Sequence, residues 1–244
     1  MPVSILQSFS DLLFPRRCEV CGGAVERAGR HLCSACLDRI PFVPLEGCCR
    51  ICGRAAEGPD RDFLCEDCRR PSTRPQFEKA ASCVRFEGVA RRMILDCKFN
   101  HAFHLAADFA DWLEAAARAR FDVTAVDLVL PMPITLAHRW NRGFNQALAP
   151  AKLLAARLDR RFDSSSLLRV GHPSRQGGLS EDERRENVRG TFAVKGARWL
   201  AGRTVLLVDD IMTTGSTFSA AAEALHAAGV SRVWCLSLAR AVRD

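Results

Sequence analysis

Two stretches of the chain hold residues whose types and spacing can do chemistry. The first runs Thr204-Val-Leu-Leu-Val-Asp209-Asp210-Ile-Met-Thr213-Thr214-Gly215-Ser216-Thr217. Its apolar run, Val205–Val208, suits a buried strand that delivers two carboxylates at its C-terminal end. A turn of small residues follows, rich in hydroxyls and backbone N–H groups, where a helix is expected to begin. Such a turn concentrates donors and the positive end of the helix dipole on one point, which suits a phosphate monoester. Adjacent carboxylates repel each other unless sugar hydroxyls or a hydrated magnesium ion accept them. The segment therefore describes a ribose 5-phosphate site, with phosphate on Thr213, Thr214, Gly215, Ser216 and Thr217 and hydroxyls on Asp209 and Asp210. A plain helix cap at Ser216 or Thr217 would account for one hydroxyl and leave the rest of the string unexplained.

The second stretch is cysteine-rich: nine of the 12 cysteines fall between Cys18 and Cys68. Cys18-x-x-Cys21-Gly22 is followed by Cys33-x-x-Cys36, and Cys49-x-x-Cys52-Gly53 by Cys65-x-x-Cys68. A two-residue gap lets one tight turn aim two sulfurs at one ion, and four thiolates close a tetrahedral shell around zinc. The repeat of about 30 residues marks an internal duplication, so two structural zinc ions are expected. Metal rather than disulfides is the reading for clustered cysteines in a reducing compartment. Spacing leaves open whether ligands pair within each half or interleave, and whether Cys48 competes with Cys49. Cys83, Cys97 and Cys235 sit in apolar surroundings and read as core fillers.

The elements that must position these groups divide at Arg69–Gln76, RRPSTRPQ, which has two prolines and no periodicity. Residues 1–70 form the cysteine module, preceded by a short amphipathic helix carrying Ile5, Leu6, Phe9, Leu12 and Leu13; residues 77–244 form an α/β domain. Helices are expected over Gly88–Phe99, Ala102–Arg120, Phe144–Leu158 and Ser216–Ala228, with Gly229 as a stop. Strands are expected over Val126–Leu130, ended by Pro131, over Val205–Val208 and over Val233–Leu238. Strand–helix–strand spacing of this kind implies a parallel sheet. The polar stretch Arg169–Gly190, part helical around Glu181–Asn187, reads as a lid.

No apolar run approaches the ~20 residues that span a bilayer, and the N-terminus lacks the basic and small-residue marks of a signal peptide. The cytoplasm is the expected location, with no stable membrane insertion. Residues 1–76 hold 11 Arg against 10 Asp or Glu, so eight thiolates and two zinc ions take that part to about −3. The basic excess behind the formal +7 lies in the α/β part, which disfavours phosphate binding by the zinc module.

The acid–threonine turn resembles the phosphoribosyl pyrophosphate (PRPP) signature of type I phosphoribosyltransferases: an apolar run, two acids, two variable positions, then Thr-Thr-Gly-x-Thr. A wider pattern is similar to the ComF/GntX family of competence-associated, phosphoribosyltransferase-like proteins. It comprises the zinc pairs, Phe86-Glu87-Gly88, Lys98-Phe99, Pro131-Met-Pro133, Arg139, Arg142-Gly143-Phe144-Asn145-Gln146, Arg175-Gln176, Leu179, Arg184, Asn187, Phe192 and the turn. The resemblance implies a type I phosphoribosyltransferase fold, a parallel sheet flanked by helices under a hood, plus a small N-terminal zinc ribbon domain. It implies PRPP bound with magnesium, the loop after the Val126–Leu130 strand on pyrophosphate with Arg139 and Arg142, and Arg175, Gln176 and Arg184 in the closing hood.

In purine-salvage relatives an aspartate stands where this chain has Thr213, so hypoxanthine or guanine salvage is disfavoured. His101, His104, His138 and His172 carry no assigned role. Two readings stay open: a transferase acting on an unidentified acceptor, and a PRPP-binding accessory factor without turnover. The family's link to DNA uptake adds single-stranded DNA and the uptake machinery as candidate partners. A nucleic-acid-binding zinc protein with a relic α/β domain ranks last, on the charge split. Nothing in the pattern sets the oligomeric state.

Overall fold

The computed structural model describes residues 17–27, 29–44, 46–56, 62–100, 102–134, 145–170 and 190–241. The expected N-terminal helix lies outside the described residues, as do most of the stretch read as a lid, its helical part included, and residues 135–144.

The α/β part is built on a five-stranded parallel sheet in the order β1-β7-β6-β2-β3. Its strands are β1 (Lys79–Arg85), β2 (Leu128–Pro131), β3 (Arg161–Phe162), β6 (Thr204–Met212) and β7 (Arg232–Arg240). A separate antiparallel pair joins β4 (Leu167–Arg169) to β5 (Phe192–Val194). Side chains on a strand alternate between faces, and the two cores follow that period. On one face Val129, Leu206, Val208, Leu236 and Leu238 pack against Met93, Phe109, Leu113 and Leu154 of the helices Gly88–Phe99 (α3), Ala106–Arg120 (α4) and Leu148–Leu158 (α5). On the other, Leu128, Leu130, Val205, Leu207, Val233 and Cys235 meet Phe218, Ala222 and Leu225 of the helix Ser216–Ala227 (α7).

Three expected strands and four expected helices are present, Gly88–Phe99 with the expected bounds and the others with shifted ends. Strand β6 runs four residues past Val208, because Asp209, Ile211 and Met212 continue the ladder against Ser237, Ala239 and Arg240. Strand β2 includes Pro131, which pairs with Val208 while the Met132 N–H donates to the Val208 carbonyl. Helix α4 begins at Ala106 after a 3₁₀ turn over Phe103–Leu105. Helix α5 begins at Leu148, after a turn in which Asn145 Oδ1 accepts the Ala147 N–H. The sequence reading left β1, β3, β4 and β5 without a strand. The first is rich in Ala, Ser and Cys, and the others are two or three residues long, too short to show a period. Cys83, Cys97 and Cys235 are buried in the two cores as expected.

The two cysteine repeats straddle the β1 edge of the sheet. The segment between them runs antiparallel beside β1, with Phe42 bridging Val84, the Val43 N–H on the Cys83 carbonyl and the Arg85 N–H on the Pro41 carbonyl. That pairing covers an edge strand which would otherwise expose its ladder groups. The first repeat (Cys18, Leu32, Cys33, Cys36, Ile40) joins the core under α3 and α4. The second (Cys49, Ile51, Cys52, Cys65, Cys68) joins the core beneath α7. The repeats therefore share apolar cores with the sheet rather than building one of their own.

Candidate functional site

Each cysteine repeat folds the same way. The Cys18 and Cys49 N–H groups donate to Gly23 and Arg54 carbonyls at 2.7 Å, and the Gly22 and Gly53 N–H groups return to Cys18 and Cys49 at 2.8 Å. Glu19 and Arg50 then bond to His31 and Phe63 at 3.0 Å, which brings up the second pair. In each repeat that pair opens a one-turn helix, Ser34–Leu37 (α1) or Glu66–Arg69 (α2), with Cys33 or Cys65 at its N-cap. Cys18, Cys21, Cys33 and Cys36 form one group, and Cys49, Cys52, Cys65 and Cys68 the other, each with its sulfurs within 4.8 Å of one another. Ligands therefore pair within each half. Cys48 stands outside both groups, bridging Ala55 as Arg17 bridges Ala24, with its thiol on the Pro44 carbonyl at 3.3 Å.

The geometry fits zinc. Sulfurs ~2.3 Å from a central ion lie ~3.8 Å apart along a tetrahedron edge. Cys21 and Cys33 are 3.7 Å apart, and Cys52 and Cys65 3.5 Å. In the second group the sulfurs compete for protons: hydrogen bonds, first from Cys52, pull the Cys49 thiol down, and Cys49 in turn pushes Cys68 up. A divalent ion removes that conflict by letting all four ionise. Two tetracysteine sites thus hold two structural zinc ions, each without an open position for water. A zinc tetrathiolate carries a net −2, and beside the second one lies the buried Arg240 guanidinium. Its Nη1 donates to the Cys52 carbonyl at 2.7 Å, and its Nη2 lies 4.0 Å from the Cys52 sulfur.

The same arginine reaches the acid–threonine turn. Arg240 ends β7 in register with Met212 and lies 3.3 Å from its sulfur. The turn after Met212 needs glycine at 215, where φ is +84° and a Cβ would stand 2.6 Å from Met212 Cε. Thr214 Oγ1 accepts the Ser216 N–H at 3.3 Å and donates to Ser216 Oγ at 3.1 Å, and α7 starts there. The N-cap of α7 is Gly215, so neither Ser216 nor Thr217 caps the helix. Thr213 is exposed, while Thr214, Ser216 and Thr217 are half-buried around the helix N-terminus, where the first turn leaves N–H groups for a ligand.

Asp209 and Asp210 lie inside the C-terminal part of β6 rather than beyond it, and consecutive strand residues point to opposite faces. Asp210 is met from the α3 side by Lys98, whose Nζ donates to Oδ2 at 2.9 Å. Asp209 feels Arg169, at the end of β4. Burial, reinforced by Asp210 alongside, pushes the Asp209 carboxyl up to about 8 against the pull of Lys98 and Arg169. Arg169 lies over the Phe192 ring at 5.3 Å, and its Nε is buried without a hydrogen-bond partner. An orphaned buried donor near the Asp209 carboxyl is what a pocket looks like when its polar ligand completes the bonding.

Asp209 and Asp210 stand on opposite faces at the end of β6, and Thr213–Thr217 follow directly in the turn and the start of α7. Arg139, Arg142, Arg175, Gln176 and Arg184 lie outside the described residues. Sequence reasoning gave no role to Lys98, Arg169 or Arg240. Lys98 stood in a resembling pair without an assignment, and the other two act across folds that no local pattern announces.

A double zinc ribbon domain model matches residues 9–70, and a phosphoribosyl transferase domain model matches residues 145–243. The chain is 29% identical to competence protein F of Haemophilus influenzae over 237 residues, covering 93% of this chain and 98% of that protein. It is 28% identical to DNA utilization protein YhgH of Salmonella typhimurium over 223 residues, covering 84% and 96%. The Escherichia coli K12 protein of that name is 27% identical over 207 residues, covering 78% and 89%. A hypoxanthine phosphoribosyltransferase of Staphylococcus aureus superposes with a TM-score of 0.34 and 16% identity, over 62% of this chain and 64% of that one. The likeness to competence protein F and YhgH thus runs through both the double zinc ribbon and the phosphoribosyl transferase domain of the chain.

Proposed function

We propose that the chain binds PRPP and transfers its phosphoribosyl group to an acceptor. The observation that carries this reading is the strand–turn–helix at Asp209–Thr217. A glycine held at φ +84° brings backbone to within reach of a ligand, two carboxylates precede it on β6, and Arg169, with an orphaned N–H, acts on the first of them. In this reading the Thr213–Thr217 turn takes the 5-phosphate, and Asp209 and Asp210 hold the 2- and 3-hydroxyls directly or through magnesium-bound water. The Asp209 carboxyl, pushed up to about 8 by burial and by Asp210, is suited both to donate to and to accept from a hydroxyl. Lys98 fixes the Asp210 carboxylate for the same task. Magnesium, when bound with PRPP, neutralises charge building on the departing pyrophosphate. Arg139 and Arg142 add donors to that group, and Arg175, Gln176 and Arg184 close over it. The division into a ribbon module (1–70) and a transferase domain (77–244) belongs to the same reading, as does the cytoplasm, where thiolates stay reduced for zinc. Among the described residues no helix is long and apolar enough to cross a membrane.

A second reading, PRPP as a ligand that switches an accessory factor without turnover, draws on Thr213, whose hydroxyl cannot serve as the acid or base an aspartate would be there. The relatives' names, competence protein and DNA utilization protein, support a part for either activity in the handling of DNA, and in this reading single-stranded DNA and uptake proteins are its partners. Calorimetry with magnesium tests the site: PRPP should bind at least tenfold more tightly than ribose 5-phosphate, and Asp210→Asn and Gly215→Ala should each weaken it at least tenfold. Absence of PRPP binding by the wild-type chain, or equal affinity in both variants, overturns the proposal. Pyrophosphate release then separates transferase from switch.

A further inference from the structure

Beside the turn lies a cavity of about 370 Å³ that none of the roles above uses. It is bounded by Thr213 and Thr214 on the turn, by Arg240 at the end of β7 and Arg85 at the end of β1, and by Arg54 and Ala55 of the second zinc ribbon. Val43 and Pro44, from the segment that pairs along β1, complete its apolar side.

Its position follows from the sheet order. Displacement at C1 of a ribose needs the incoming atom opposite the leaving group. Strand β6 carries the phosphate turn and has β2 on one side and β7 on the other. With pyrophosphate over the loop that follows β2, attack would come from the β7 side, and Arg240 and Ala241 at the end of β7 line this cavity. Its volume falls within the ~300–1,000 Å³ of small-molecule sites.

The lining restricts the occupant's chemistry. Among the described residues that form the wall there is no carboxylate, histidine or lysine to take a proton. Such a wall suits an incoming nitrogen that presents its lone pair unaided, as a pyridine-type ring nitrogen does. The wall's charged groups are guanidiniums. Arg54 is held by Asp67 at 2.9 Å, and Arg240 is committed to the zinc ribbon. Arg85 is half-exposed and is held by Glu87 at Nε, which leaves its terminal nitrogens the wall's best donors for an incoming anion. A planar guanidinium matches a carboxylate, and Val43, Pro44 and Ala55 offer a flat apolar bed for a ring.

We infer that this cavity, walled by the second zinc ribbon, is the acceptor site, and that it takes a pyridine-type heteroaromatic carboxylate. The inference rests on the PRPP reading above and names the acceptor class for it. In the step, the ring nitrogen lone pair forms the new bond to C1 while the C1–O bond breaks. Pyrophosphate leaves with the bonding pair, the ring becomes a pyridinium, and no proton changes hands.

The test uses the full zinc-loaded chain with magnesium and PRPP. Nicotinate and quinolinate are the probes, with hypoxanthine, benzoate and a single-stranded oligonucleotide as comparisons. Calorimetry on the PRPP-loaded protein should show a pyridine carboxylate binding at least tenfold more tightly than hypoxanthine, and pyrophosphate release should rise at least tenfold over background. Benzoate, which has the carboxylate without the nitrogen, should bind without release. Ala55→Trp, which fills the cavity from an exposed position, should abolish acceptor binding and leave PRPP affinity within twofold. Arg85→Ala should weaken acceptor binding about tenfold, with both zinc ions retained. PRPP binding with no pyridine carboxylate binding overturns this inference alone, as does acceptor binding unchanged by Ala55→Trp, or release driven only by hypoxanthine or the oligonucleotide. Failure of PRPP itself to bind overturns the earlier reading and this one together.

Discussion

The two tetracysteine sites share one local fold and differ in what they lean on. The first keeps Cys21 exposed and is tied to α4 by polar contacts: Arg30 pairs with Asp111, and the His31 N–H donates to Asp108 at 3.2 Å. Asp111 also meets Arg157 of α5 at 2.8 Å, so this half clasps two helices on the face away from α7. The second has all four cysteines buried and borders the acid–threonine turn. Cys52 and Cys68 share a cavity wall with Thr214, Gly215 and Ser216, and Arg240 joins Cys52 to Met212 beneath the turn. Duplication made two equivalent staples, and docking on opposite faces of one sheet set one against α4 and the other against the acid–threonine turn.

The sharpest way to break this comparison is to remove one zinc at a time. Structural zinc contributes on the order of 10 kcal/mol to such folds. Cys49→Ser should leave one zinc per chain by atomic absorption and abolish PRPP binding. Cys21→Ser should also leave one zinc yet keep PRPP affinity within about threefold. Equal loss in the two variants would erase the distinction.

Arginine replacement comes next. Arg240→Met strips the buried partner from a dianionic zinc cluster and should destabilise the protein by about 3–5 kcal/mol in denaturant titration, with weakened PRPP binding. Arg30→Met, at a pair that is partly open to water, should cost about 1–2 kcal/mol and leave ligand affinity alone.

The knuckle glycines give a smaller contrast. Both have positive φ, +73° at Gly22 and +70° at Gly53, so alanine costs about 1 kcal/mol at each. At Gly53 the added Cβ would also meet the Ala80 carbonyl at 2.7 Å, whereas Gly22 has nothing within 4 Å. Gly53→Ala should therefore lower stability by about 2–3 kcal/mol against about 1 for Gly22→Ala. The least effect belongs to Cys48→Ser, which should retain two zinc ions and change stability by less than about 1 kcal/mol.

How much of this was readable beforehand depends on sequence separation. The Val205–Val208 run, the turn and α7 are contiguous, so pattern and chemistry identified them together. Strand β1 escaped notice because Lys79–Arg85 is made of small residues, buried by an edge covering supplied from residues 41–43. Lys98 lies 112 positions from Asp210, and Arg240 lies 188 from Cys52. No periodicity links residues so far apart, and Arg169 reaches Asp209 from a three-residue strand.

By itself the amino-acid order determined the ligand types: eight sulfurs in two like sets, and two acids ahead of a hydroxyl-lined bend. Those depend on neighbours within a few residues, where covalent geometry limits the choices. Which sulfurs share an ion, where Cys48 goes, that Asp209 and Asp210 face apart, and that only the second ribbon meets the turn were decided by tertiary structure. Each depends on how β1 is covered and on which face of the sheet a segment buries its apolar side, and that choice is made by packing over the whole chain.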